Sequence, residues 1–116
     1  MEVSIEICDL DWKVILCNSD DPKLTCNEDN VCGRCYKVQK LILINDSLSD
    51  DLLLRTLTHE ITHAFIWSYG FEDVNFEEEV VCNFIETYAT EITEMAGKLF
   101  SIFKRPEEKS KKKSKA

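Results

Sequence analysis

Glycine occurs three times and proline twice in 116 residues, too seldom for a collagen-like or Pro/Gly-rich chain. Long apolar runs are missing too. The longest aliphatic stretch is Leu41-Ile42-Leu43-Ile44, against the ~20 residues that a membrane-spanning helix needs. From Met1 to Glu6 no basic segment leads into an apolar one. That gives no sign of a secretory signal and sets the cytoplasm as the expected compartment. Basic charge is scarce outside the last residues. Residues 104–116 carry a net +5, which leaves −13 on residues 1–103. A body this acidic offers no general face for nucleic acid, and none is expected as a partner.

What is present suits one small globular domain: 44% of residues are hydrophobic and 31% charged. The expected domain is residues 1–103. After Pro106 no apolar residue follows until Ala116, so 104–116 reads as a basic disordered tail. Six cysteines invite a disulfide framework, but without a secretory signal they read as reduced thiols.

The alternation Val3, Ile5, Ile7 and then Trp12, Val14, Leu16 predicts two strands joined at Asp9-Leu10-Asp11. Polar, turn-rich chain follows from Asn18 to Arg34, and Tyr36–Asn45 reads as a third strand. Ser47-Leu48-Ser49-Asp50 fits a capping box, and Gly70 a helix stop. Between them Leu53, Leu54, Leu57, Ile61, Ala64 and Phe65 recur at helical spacing. A second helix opens at Asn75-Phe76-Glu77-Glu78 and carries the stripe Val81, Ile85, Tyr88, Ile92, Met95, Leu99, Phe103. Cys82 is expected near its buried side. The fold class is α+β: a three-stranded antiparallel or mixed sheet packed on two long helices.

The first of these helices carries His59-Glu60-Ile61-Thr62-His63, with the chain's only two histidines. At i and i+4 their side chains lie about 40° apart around the axis, so both can reach one ion. Glu60 sits about 100° from His59 and the apolar stripe near 180°, which turns the pair toward a cleft. A carboxylate beside such a metal position can take a proton from a bound water. Zinc is the expected ion, and a catalytic zinc takes a third protein ligand. No third histidine exists, so the second helix is the expected source. Its phase favours Glu79, then Glu86, then Glu78, while Glu77 and Glu78 also complement the helix dipole.

The strand, the HEITHAF helix and Glu79 through Phe84 together resemble a gluzincin-type metallopeptidase core. In particular they are similar to the small ImmA/IrrE-like proteins of phages and mobile elements. Gly33-Arg34-Cys35, Leu57-Thr58-His59-Glu60 and Glu79–Phe84 carry this likeness, which covers about residues 30–95. It implies a minimal zincin-like domain with His59, His63 and Glu79 on zinc and Glu60 as general base. Asn83, four residues after Glu79, would then support a histidine. The implied function is hydrolysis of a peptide bond in a protein substrate, such as a regulatory protein, with the strand Lys40–Asn45 offering an edge for β-addition. Trp67, Tyr69 and Tyr88 are conceivable helpers but read first as core.

The opposing class is a non-enzymatic, zinc-containing interaction module. The intact Glu60 speaks against it, since a structural site needs no base. Cys17, Cys26, Cys32 and Cys35 form a weaker second candidate, a four-thiolate zinc knot whose tight half is Cys32-Gly33-Arg34-Cys35. Scattered reduced thiols are the simpler reading.

Overall fold

A computed structural model describes the backbone of residues 1–26 and 29–115, and the side chains of residues 1–24 and 31–104. Its strands are β1 (Glu2–Ile7), β2 (Leu10–Cys17), β3 (Thr25–Cys26), β4 (Asp29–Asn30), β5 (Gly33–Tyr36) and β6 (Leu41–Asn45). Two helices follow, α1 (Asp50–Ser68) and α2 (Glu78–Lys115). The main sheet has four strands in the order β1-β2-β6-β5, with β2 and β6 parallel and the outer pairs antiparallel. The α+β class holds. The strand count does not, because the expected strand Tyr36–Asn45 is broken by a turn at 37–40. Tyr36 ends β5, which begins in chain that reads as turn, and only Leu41–Asn45 forms β6. At Gly33-Arg34-Cys35-Tyr36 β5 is short and carries little β-branched character, so pairing with β6 rather than propensity makes it a strand.

β6 is apolar from Leu41 to Ile44 because both its faces are covered there. Ile42 and Ile44 point to the helices and join Trp12, Val14, Leu57 and Ile61 in the main core. Leu43 points the other way and packs with Cys17 and Leu24, and Tyr36 donates its hydroxyl to the neighbouring Lys23 carbonyl at 2.8 Å. Each fully buried Leu or Ile contributes about 1.5–3 kcal/mol. The strand is therefore central. The free edge near α1 belongs to β5, not to Lys40–Asn45 as expected.

The β1–β2 hairpin forms, but its turn is Cys8-Asp9, with Ile7 opposite Leu10. Both turn residues take positive φ, 52° and 62°, as a two-residue primed turn requires. Asp9-Leu10-Asp11 misplaces it because no glycine marks the turn. Substituting Cys8→Asn together with Asp9→Gly should relieve about 1 kcal/mol of left-handed strain and raise Tm by several degrees. An unchanged or lower Tm in a thermal melt would show that the turn is not strained.

Helix α1 starts after Ser49, and no side-chain cap bond forms there, so the expected capping box is not made. Its other end is as read. Gly70 (φ 78°) donates to the Trp67 carbonyl and Phe71 to that of Ile66, the paired bonds of a Schellman stop. Helix α2 begins at Glu78 rather than Asn75, with Glu77 O accepting from Val81 N. It runs antiparallel to α1: Tyr88 meets Phe65 and Tyr69 at one end, and Lys104 pairs with Asp50 at the other.

The turns of α2 before Tyr88 thus overshoot the end of α1. Phe84 takes over as the buried residue there, while Val81, Cys82 and Ile85 are exposed, against their expected burial. The backbone of α2 stays helical through Lys115, beyond the stripe's end at Phe103. The expected disorder of 104–116 falls on residues whose side chains, from 105 onward, lie outside the description. Among the described residues no helix is long and apolar enough to cross a membrane.

Candidate metal centre

α1 carries Leu53, Leu57, Ile61 and Ala64 into the core, and this phase fixes where the motif points. His59 is left exposed and His63 half-buried, while Glu60, one position round toward the sheet, is only 6% exposed. The two imidazoles stand edge to face, with ring centroids 4.9 Å apart. His63 also stacks on Trp67 (5.6 Å, 23°), which stacks on Trp12 (6.4 Å, 17°). Trp12 in turn donates its indole N–H to the Ser68 hydroxyl at 2.9 Å. A column of rings rooted in the core therefore holds His63. Burial, and then the neighbouring His59, push its pKa below the usual histidine range, so its ring is neutral with a lone pair free at neutral pH.

Glu60 owes its burial to the close approach of β5. A Cβ on Gly33 would come within 2.9 Å of Thr56 Cγ2, 3.0 Å of the Leu43 carbonyl and 3.2 Å of Glu60 Cγ. Only glycine lets the strand lie this near the helix. Burial raises the Glu60 pKa, and the charges of His59 and Arg34 oppose that rise. Glu60 and His59 open together into a cleft of about 350 Å³, walled by Cys32 and Gly33 on one side and by Leu52, Arg55 and Thr56 on the other. Two imidazoles one helical turn apart, beside a carboxylate of raised basicity, can bind a divalent metal and move a proton.

The structure brings His59, Glu60 and His63 together but not Glu79. Glu79, Asn83 and Glu86 are exposed on the part of α2 at or beyond the end of α1, and Glu78 is exposed there too. From Tyr88, level with Phe65 and Tyr69, the helix runs about 14 Å further out to Glu79. His63 lies on the other side of that level. Among the described residues no three His, Cys, Asp or Glu converge closely enough to hold a metal. Tyr69 and Tyr88 join Phe65, Phe71 and Phe84 in an aromatic cluster at the helix junction, away from the cleft.

Among the described residues the cysteines do not gather. Cys35 faces the main core beside α1, whereas Cys17 packs on the opposite face of the sheet with Leu24 and Leu43. The Cys26 side chain lies outside the described residues. Burial, then the charge of Glu60, pushes the Cys35 thiol up to about 12, and burial also raises Cys17. Both are therefore protonated and inert at neutral pH. A brief iodoacetamide pulse on the folded protein should modify the exposed Cys8 and Cys82 and spare Cys17 and Cys35 until unfolding. Mass spectrometry showing Cys35 labelled as fast as Cys82 would contradict this burial.

Reading the sequence misses Cys32, Arg55 and Thr56 as cleft residues, and no local pattern marks them. Trp67, one of the conceivable helpers, continues the i, i+4 series of His59 and His63. Comparison with protein-family models, with curated proteins and with solved structures gives no match to this chain.

Proposed function

We propose that this chain is a zinc-dependent metallopeptidase of minimal zincin-like build, hydrolysing a peptide bond in a protein substrate. The observation that carries the reading is the His59–His63 pair, edge to face on α1, with His59 and the buried Glu60 lining an open cleft. The fit to zinc is good for two donors: imidazoles on adjacent turns are suitable ligands. Glu79, the third ligand that the resemblance implies, stands apart in this arrangement, and its part is to be tested by substitution. When bound, zinc supplies Lewis acidity at the carbonyl and a more acidic water.

The chain's own groups do the rest. Glu60, made more basic by burial, accepts a proton at its carboxylate and returns it to the leaving amine. The charges of His59 and Arg34 favour its ionised form, against the burial that raises its pKa. β5 leaves one edge unpaired in the sheet order, and an extended substrate segment laid along it would run past Glu60. The resemblance to phage and mobile-element proteins extends the proposal to a cytoplasmic enzyme acting on a regulatory protein.

A second reading, a zinc-containing interaction module without catalysis, draws support from the separation of Glu79 from the pair. Elemental analysis separates the shared premise from both. Wild-type protein should carry about one zinc per chain, and a His59→Ala, His63→Ala double variant should carry none. Undiminished zinc in the double variant overturns both readings. Zinc loss without any peptide cleavage that depends on Glu60 favours the module.

A further inference from the structure

The sheet has a second open edge, on the side away from the cleft. In the β1–β2 ladder the two-residue turn makes Ile7 and Leu10 a hydrogen-bonded pair. Ile5 with Trp12 and Val3 with Val14 repeat it. The bond from Leu16 N to Met1 O continues the same phase. The N–H and C=O groups of Glu2, Ser4 and Glu6 therefore point away from β2, along an edge that no other strand occupies among the described residues. Beside it lies a groove of about 360 Å³, with Val3, Ile5, Met95, Leu99 and Ile102 among its lining. Its rim is acidic: Glu6, Glu91 and Glu94 against Lys98 alone.

The same charges choose the occupant. A second copy paired antiparallel about Ser4 would set each Glu2 opposite the Glu6 of the other copy, twice over, and like charges directly opposed destabilise a strand pair. A strand with basic residues on that face meets Glu2 and Glu6 favourably. Its alternate residues then point into the groove, where apolar side chains fit between β1 and α2. We propose that β1 and this groove form a docking edge for an extended segment of another protein, alternating apolar and basic residues, which adds to the sheet as a fifth strand. It lies three strand spacings from β5, about 14 Å, and so does not depend on the metal centre.

The probe is a short synthetic peptide alternating lysine and valine, beside its glutamate-for-lysine counterpart. Binding is followed by fluorescence anisotropy, and the site by backbone amide exchange. The lysine peptide should bind wild-type protein and protect the Ser4 and Glu6 amides. Ser4→Pro removes an outward N–H that the β1–β2 ladder does not use, so the hairpin should stay folded while affinity falls about tenfold or more. Glu6→Lys combined with Glu94→Lys should reverse the preference toward the glutamate peptide, which keeps the test open should Ser4→Pro not fold. Any one of four results overturns the proposal: no binding of the lysine peptide, binding untouched by both variants, protection at β5 instead of β1, or a dimer of the free chain that protects the β1 amides.

Discussion

Glu60→Gln should raise the melting temperature of the metal-free protein at neutral pH and sharply slow the proposed peptide hydrolysis. Glu60 is nearly enclosed between Gly33 and the cleft, and its pKa is raised by burial more than His59 and Arg34 lower it. A raised carboxylate pKa means that the folded state holds its proton more tightly than the unfolded chain does. Below the ordinary carboxylate range both states are protonated and no penalty exists. As pH rises above the ordinary carboxylate range the unfolded chain loses its proton first, so the cost grows until pH passes the folded pKa and is constant beyond it. Glutamine keeps the shape without the charge, so its gain should be present at neutral pH and vanish in acid. A gain on the order of 1 kcal/mol moves Tm by ~4–8 °C in a small domain. The rate should fall by roughly 10²–10⁴, the usual worth of a positioned base. A lower Tm at neutral pH would mean that the carboxylate anchors β5 through Arg34 instead of straining the fold.

The other large effect is expected at Gly33. Alanine there needs Thr56 Cγ2 and the Leu43 carbonyl to give way at 2.9 and 3.0 Å. The carbonyl belongs to the partner strand β6 and cannot move without disturbing the β5–β6 pairing. Forced overpacking of this kind costs about 1–3 kcal/mol, and Gly33→Val should cost more. Thr56→Ser removes the methyl that the new Cβ meets, so Gly33→Ala should be less damaging in that background. Denaturant midpoints of the four proteins decide it. Equal midpoints for Gly33→Ala and wild type would show that β5 slides freely over α1.

Local patterns were enough for much of this architecture. The 3.6-residue period places α1 and its buried face, Gly70 its end, and the alternation from Val3 to Leu16 the hairpin. The same period puts two imidazoles and a carboxylate in one place, because α1 alone determines their relation. What escaped the sequence depends on contacts between distant segments. β5 exists through its pairing with β6, and the cleft exists because Gly33 lets that strand approach Thr56 and Glu60. Val81 and Ile85 continue a correct stripe, yet are exposed because α2 outruns α1. Glu79 shows the same limit: helix phase says which way it points around α2, but not where α2 lies along α1.

The central claim is that His59 and His63 hold a metal ion beside Glu60, and cobalt titration tests it most directly. Cobalt(II) substitutes for zinc with visible absorption, and binding at His63 should also quench the fluorescence of the stacked Trp67. Wild-type protein and Glu60→Gln are both expected to saturate at one equivalent, with the absorption and the quenching rising together. His63→Ala should lose both signals. Failure of the wild-type protein to show saturable binding, or full retention of both signals in His63→Ala, would contradict the account.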